Sequence, residues 1–285
     1  MEQHINKAKV LIEAIPYIQS FRGKTVVVKY GGSAMVDSKI KEMMMQDIAL
    51  FKLIGVNIVL VHGGGPFINK MLDRMSIEPK FIEGLRVTDS DTMEVVEMVL
   101  SGKINKEIVN DIQKLGLKAT GISGKDGMTL RAEKLMKNGL DLGYVGSIVD
   151  VDTGLIDSLL DSGQIPVVAP VGRDSEGNTY NINADYAAVS IAAALKAQKL
   201  VFVTDVRGVM EDVENPDSLI SLMSVAQAKD KIEEGIISGG MIPKVECCID
   251  AVESGVETVH IIDGRVEHSM LLEIFTQDGI GTMFK

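Results

Sequence analysis

Val26–Met35 reads VVVKYGGSAM: a β-branched run, a lysine, a tyrosine and then two consecutive glycines. A continuous apolar run of β-branched residues marks a strand buried on both faces. Glycines directly behind such a strand let a ligand approach the backbone closely and leave N–H groups free to donate. Lys29 adds positive charge at the same point. The stretch therefore predicts an α/β sheet with an anion held beyond the carboxyl end of a strand, where open α/β sheets bind their ligands.

Working outward, apolar runs at Thr25–Lys29, Asn57–Val61, Lys118–Ile122, Ile165–Val171, Leu200–Thr204 and Thr258–Ile262 read as strands. Helical patterns lie between most of them. In Thr92–Leu115 the residues Val95, Val99, Ile104, Ile108, Ile112 and Leu115 fall roughly on one face, and Ala184–Ala197 is rich in alanine. Strands alternating with helices predict a mainly parallel sheet covered on both faces. Shorter runs at Thr129–Ala132 and Tyr144–Asp150, with the turn RDSEGN at Arg173–Asn178, predict added hairpins. A polar, glycine-containing turn near Asp174–Tyr180 separates two αβ series, so we expect two lobes sharing one sheet, 23–175 and 176–285, behind an N-terminal segment 1–22.

Two more glycine clusters follow strands: HGGGP (His62–Pro66) and GISGKDG (Gly121–Gly127). The latter fails as a P-loop, because Ala119 holds the position of the first glycine and Asp126 follows the lysine. Neither G-x-G-x-x-G, G-x-S-x-G nor H-E-x-x-H occurs, and His4, His62, His260 and His268 are scattered without ligand spacing. Dinucleotide oxidoreductase, hydrolase and zinc-enzyme readings therefore have little support.

The 285 residues are 46% hydrophobic and 24% charged, an ordinary globular composition. A net charge of −11 and the lack of a basic cluster argue against nucleic acid as a partner. That charge also repels anionic small molecules at long range, so a phosphate or carboxylate must be drawn in by local lysines, arginines and backbone amides. Neither a signal peptide nor a membrane span is supported, which makes the cytoplasm the expected location. Cys247 and Cys248 are adjacent in a helical pattern and read as buried thiols rather than a bridge.

Two segments complete a site. In YNINAD, Asn181 and Asn183 alternate with Ile182 and point to one side of an extended chain, and Asp185 follows at the start of a helix. In SGGMIPKV, Pro243 opens a helix with Lys244 in its first turn, where a cation is locally unfavourable by up to ~1 kcal/mol unless an anion compensates it. A helix-terminal carboxylate and a solvated lysine are the ordinary readings of Asp185 and Lys244. Together with Lys29 they suggest a clamp: two lysines converging on a transferring phosphoryl group, held by one aspartate.

The stretches KYGGSA, VLVHGGGPFINKML, FIEGLRVTD, TMEVVEMVLSGKINKEIV, GISGKDG, YNINAD, VFVTDVRGV and GGMIPKV, with the ending GIGTMF, run in one order through nearly the whole chain. In that order they resemble the amino acid kinase family, and within it the branch acting on N-acetyl-L-glutamate. The resemblance implies a three-layer αβα sandwich and ATP-dependent phosphorylation of the acetylglutamate side-chain carboxylate, the second step of arginine biosynthesis. Magnesium would be held mainly by the nucleotide, with no protein residue assigned to it. Lys29 and Lys244 match lysines that stabilise the transition state, and Asp185 the aspartate that orients them. Gly31, Gly32, Gly64 and Gly65 match backbone donors around the phosphoryl group and substrate. Arg86, Asn181 and Asn183 match residues that hold acetylglutamate; Thr204, Asp205, Gly208 and Val209 match the nucleotide loop. The acceptor carboxylate is already ionised at neutral pH, so no general base is required.

HINKAKVLIEAIPYIQSFRGK adds a helical pattern, Val10, Leu11, Ala14, Ile15 and Ile18, interrupted near Pro16. It resembles the arginine-inhibited members of the family, in which such a helix joins dimers into a hexameric ring. On the same basis Tyr17, His268, Glu273, Gly279 and Gly281 are candidates for an allosteric arginine site. Two other readings stay open: a kinase of this fold with another acceptor, such as carbamate, glutamate or aspartate, and a catalytically silent sensor.

Overall fold

The structure, a computed structural model, describes residues 4–5, 9, 12–215, 217–276 and 279–285. Val10 and Leu11 of the N-terminal pattern lie outside them. The strands are β1 (Thr25–Tyr30), β2 (Asn57–His62), β3 (Lys80–Ile82), β4 (Leu85–Val87), β5 (Ala119–Ser123), β6 (Leu130–Lys137), β7 (Leu140–Val151), β8 (Ile165–Ala169), β9 (Val171–Arg173), β10 (Thr179–Asn181), β11 (Lys199–Thr204), β12 (Leu222–Met223), β13 (Thr258–Asp263) and β14 (Thr282–Phe284). The helices are α1 (Ile15–Phe21), α2 (Ser38–Leu53), α3 (Gly65–Arg74), α4 (Ser90–Glu97), α5 (Asn105–Lys114), α6 (Gly154–Asp161), α7 (Ala184–Ala194), α8 (Val225–Glu233), α9 (Ile242–Glu253) and α10 (Ser269–Phe275).

Among the described residues, eight strands form one sheet in the order β12-β14-β13-β11-β1-β2-β8-β5. Its pairings are parallel except that of β13 with β14. The side-chain period of two divides each strand between two cores. Val26, Val28, Tyr30, Ile58 and Leu60 meet α2, α3, α4, α5 and α10 on one face. Val27, Val59 and Val61 meet α6, α7, α8 and α9 on the other. This is the three-layer αβα sandwich, with the central strands covered on both faces.

Differences from the sequence reading have local causes. Ile165–Val171 is split at Pro170, which has no N–H for the ladder, and Val171–Arg173 turns away to pair with β10. The long helix begins at Ser90 under an N-cap from Asp89, whose side chain accepts from the Thr92 amide at 2.9 Å. It runs through a π-helical stretch, Met98–Ile104, before α5. Pro16 lies in the first turn of α1, consistent with the predicted interruption. The RDSEGN turn links β9 to β10, with Asp174 accepting from the amides of Glu176 and Asn178.

Candidate active site

Strand register sets the site. Lys29 lies opposite Val61 of β2 and Phe202 of β11, and Tyr30 opposite His62 and Val203. The three carboxyl ends therefore finish level, and Gly31–Gly32, Gly63–Gly65 and Asp205 emerge side by side. Lys29 is two residues from Val27 and so faces the layer of α7 and α9. Those helices carry Asp185 and Lys244 in their first turns.

The three groups meet. Lys29 Nζ lies 2.8 Å from Asp185 Oδ1, and Lys244 Nζ lies 3.8 Å from Asp185 Oδ2. Burial alone would raise the Asp185 carboxyl, but the two ammonium groups outweigh it and hold it below the usual aspartate range. Asn183 is the N-cap of α7 and accepts from the Asp185 amide at 2.8 Å. Gly31 completes the arrangement sterically: a β-carbon there would lie 2.9 Å from Lys29 Nζ.

These residues open on a cavity of about 510 Å³, whose lining also includes Gly32, Gly64, Gly65, Arg86 and Asn181. Among the described residues the amides of Gly64 and Gly65 have no protein acceptor, and Gly65 begins α3, where the helix dipole favours an anion. Gly64 also has a packing role, since a β-carbon would come within 2.5 Å of Leu100 and Ile104. Arg86 is 8% exposed; its guanidinium stacks 4.7 Å over the Phe81 ring and donates to Asn69 Oδ1 at 2.6 Å. Its Nη1 is buried without a partner among the described residues. A buried, half-satisfied guanidinium of this kind fits a carboxylate ligand. Asn181 donates to Thr88 Oγ1 at 3.2 Å. Lys29, Lys244 and Arg86 against Asp185 make the lining locally cationic in a protein of net charge −11.

A second cavity of about 500 Å³ lies beyond β11, lined by Asp205, Gly208, Val209, Met241 and Arg265 among others. Thr204 Oγ1 accepts from the Val206 amide at 3.0 Å, and Thr282 Oγ1 from the Val209 amide at 2.8 Å, which shapes the loop. Gly208 has φ 148°, and a β-carbon there would come 2.5 Å from Thr282 Oγ1. Met241 borders this cavity and Lys244 the first, so the start of α9 joins the two.

The candidate arginine residues gather elsewhere, around α1 and α10. Tyr17 packs edge-on against Phe275, with ring centroids 5.9 Å apart. His268 Nδ1 is 2.6 Å from Asp47 Oδ1. Glu273 is buried; its Oε1 lies 2.6 Å from His260 Nδ1, and its Oε2 accepts from the amides of Ile280 and Gly281. A β-carbon at Gly279 would press on that carboxylate at 2.7 Å, and one at Gly281 would overlap the carbonyl of Ile261.

Sequence reasoning missed Asn69, Phe81 and Arg265. Asn69 and Phe81 lie inside motifs already read as functional, but their partner Arg86 is 17 and five residues away, a proximity only the fold creates. Arg265 follows the end of β13, whose glycine-containing turn IIDGR was legible as one more strand end; it pairs with Asp263 through two contacts of 2.9 and 2.8 Å. The glycines of GISGKDG serve packing instead: a β-carbon at Gly124 would meet Leu130 at 2.5 Å, and one at Gly121 would overlap Asn105. Cys247 and Cys248 are buried free thiols, and burial pushes Cys247 up to about 12.

Two lysines sharing one carboxylate, free glycine amides and a buried guanidinium thus lie between two cavities at the ends of parallel strands. Residues 24–263 match the model of the amino acid kinase family, and the chain belongs to that family. It is 61% identical over 279 residues to the acetylglutamate kinase of Thermoanaerobacter pseudethanolicus, covering 98% of this chain and 93% of the relative. It is 54% identical over 292 residues to that of Heliobacterium modesticaldum, covering 99% of each. Among solved structures, N-acetylglutamate synthase from Neisseria gonorrhoeae complexed with coenzyme A and N-acetyl-glutamate superposes with a TM-score of 0.85 at 29% identity, over 97% of this chain and 63% of the synthase. Carbamate kinase from Giardia lamblia bound to AMP-PNP gives 0.66 at 16% identity, over 92% of this chain and 98% of the kinase, a likeness of fold.

Proposed function

We propose that the protein transfers the γ-phosphoryl group of ATP to the side-chain carboxylate of N-acetyl-L-glutamate, giving N-acetyl-L-glutamyl 5-phosphate for cytoplasmic arginine biosynthesis. The observation that carries this reading is the pair of lysines on Asp185 at the mouth of a cavity lined by a buried guanidinium whose Nη1 has no partner among the described residues. Arg86 takes a carboxylate of the acceptor through its free Nη1, while Asn69 and Phe81 keep its plane fixed. Asn181 and Asn183 border the same space and orient the rest of the acceptor.

The acceptor carboxylate is ionised at neutral pH and attacks phosphorus without losing a proton, so the protein's tasks are alignment and charge neutralisation. Lys29 and Lys244 approach the transferring group from β1 and α9, and the amides of Gly32, Gly64 and Gly65 receive its oxygens. Nucleotide lies in the second cavity, against Asp205, Gly208 and Val209, with its phosphates directed toward Lys244; Thr204 does not line that cavity and acts by shaping the loop through the Val206 amide. Among the described residues lining the first cavity Asp185 is the only carboxylate, and both its oxygens face ammonium groups. That donor set suits magnesium bound chiefly to the nucleotide's own phosphates, where it neutralises their charge.

Regulation by arginine and assembly into a hexamer, a trimer of dimers joined by the N-terminal segment, are parts of the same reading. Their support is the packing of Tyr17 against Phe275 where α1 meets α10, because an effector there would touch the segment that joins dimers. One assay tests the proposal: ATP turnover with N-acetylglutamate against glutamate, aspartate and carbamate, with and without arginine. Turnover confined to N-acetylglutamate is expected; preference for any other acceptor refutes it.

A further inference from the structure

His62 ends β2 with its side chain fully buried, immediately before the glycines that face the cavity. Its Nδ1 lies 2.9 Å from the carbonyl oxygen of Gly63, which can only accept, so Nδ1 carries the proton. Nε2 is then an acceptor, and Asn105 Nδ2 lies 3.2 Å from it. The same Nδ2 is 2.9 Å from the carbonyl of Val167 and 3.2 Å from that of Ile122. Two carbonyls and a neutral imidazole nitrogen are all acceptors, so this end of Asn105 has to be its NH₂ group. Lys106 Nζ donates to Asn105 Oδ1 at 3.0 Å and to the Gly121 carbonyl at 2.7 Å, which fixes the other end. Asn105 directly follows the π-helical stretch, whose Leu100 and Ile104 also wall off Gly64. Insertions of this type are frequent at functional sites.

The consequence lies in one peptide plane. Gly63 N–H is already bound to the Tyr30 carbonyl at 2.8 Å. With the Gly63 carbonyl drawn inward by His62, the planar trans peptide directs the Gly64 N–H the opposite way. Gly64 lines the cavity, and among the described residues its amide has no protein acceptor. A glycine pair would otherwise rotate this peptide freely.

We infer that His62, locked by Asn105, is a positioning residue that holds the Gly63–Gly64 peptide so that the Gly64 amide faces the transferring phosphoryl group. The inference rests on the kinase reading above. It touches neither substrate, so its effect belongs to kcat rather than KM.

The test compares His62→Asn, whose amide nitrogen can occupy the Nδ1 position and donate to Gly63, with His62→Gln, whose amide reaches only the Nε2 position. His62→Leu serves as the reference without donors. Turnover of ATP with N-acetylglutamate by the unmutated protein comes first, because its absence refutes the kinase reading and leaves the variants uninformative about it. Given that turnover, His62→Gln and His62→Leu are expected to lose about 30-fold in kcat with both KM values within about twofold, and His62→Asn to keep kcat within about threefold. Equal kcat values for the Asn and Gln variants, or a loss expressed in KM, overturn the inference. Should His62→Leu not fold, the Asn and Gln pair decides alone, since both retain a polar group of comparable size.

Discussion

Gly31 has no strained backbone to explain it, and its reason is the neighbouring ammonium. A β-carbon at this position would lie 2.9 Å from Lys29 Nζ and 3.2 Å from its Cε, where ordinary contact begins at 3.4 Å. In Gly31→Ala the ammonium must therefore retreat by about 0.5 Å, which a flexible side chain does at little cost in stability. A misplacement of about 1 Å costs on the order of 100-fold in rate, so about tenfold in kcat, near 1.4 kcal/mol, is expected here. Both KM values should stay within about twofold, because Lys29 acts on the group in transit rather than on the resting ligands. Steady-state turnover of ATP with N-acetylglutamate measures this. In a Lys29→Met background the same substitution should change kcat by less than about twofold, since its route of action is gone. Unchanged kcat in the single variant, or an equal further loss in the Lys29→Met background, refutes the reasoning.

Other outcomes follow from the same geometry. Arg86→Lys, which loses the planar fork, and Asn69→Ala, which frees it, should each raise KM for N-acetylglutamate about tenfold with kcat little changed. Burial holds His62 neutral down to about 4 against an ordinary 6.5, so the unfolded chain binds the extra proton first and stability falls as pH drops through that interval. Unfolding in urea at pH 7 and pH 5 should show about 2 kcal/mol of acid destabilisation that His62→Leu lacks. Deleting residues 1–20 should leave active dimers that arginine does not inhibit, as judged by light scattering and inhibition curves; retained inhibition counts against the proposed route.

The sheet was legible because its strands are covered on both faces and so read as unbroken apolar runs, from Val26 to Val28 or Ile58 to Val61. The meeting of Lys29, Asp185 and Lys244 was legible because each sits next to a strand end or a helix start, where glycine and proline mark the boundary. What stayed hidden depends on contacts between distant segments. Asn69 resembles any polar helix residue until the β3–β4 hairpin brings Arg86 against it. Asn105 looked like one more position of a long amphipathic helix. The step of five residues from Val99 to Ile104, where three or four is usual, was the trace of the π-helical stretch that turns Asn105 inward. Pro170 was likewise visible, yet only the sheet shows that the chain changes partners there.

The central claim is that Lys29 and Lys244, joined through Asp185, converge on one phosphoryl group. A crystal structure with MgADP, N-acetylglutamate and a planar metal fluoride in place of that group tests it most directly. Both ammonium nitrogens within hydrogen-bond reach of the fluoride ligands, about 3 Å, is the result expected. A fluoride bound with either lysine turned away from it would contradict the account.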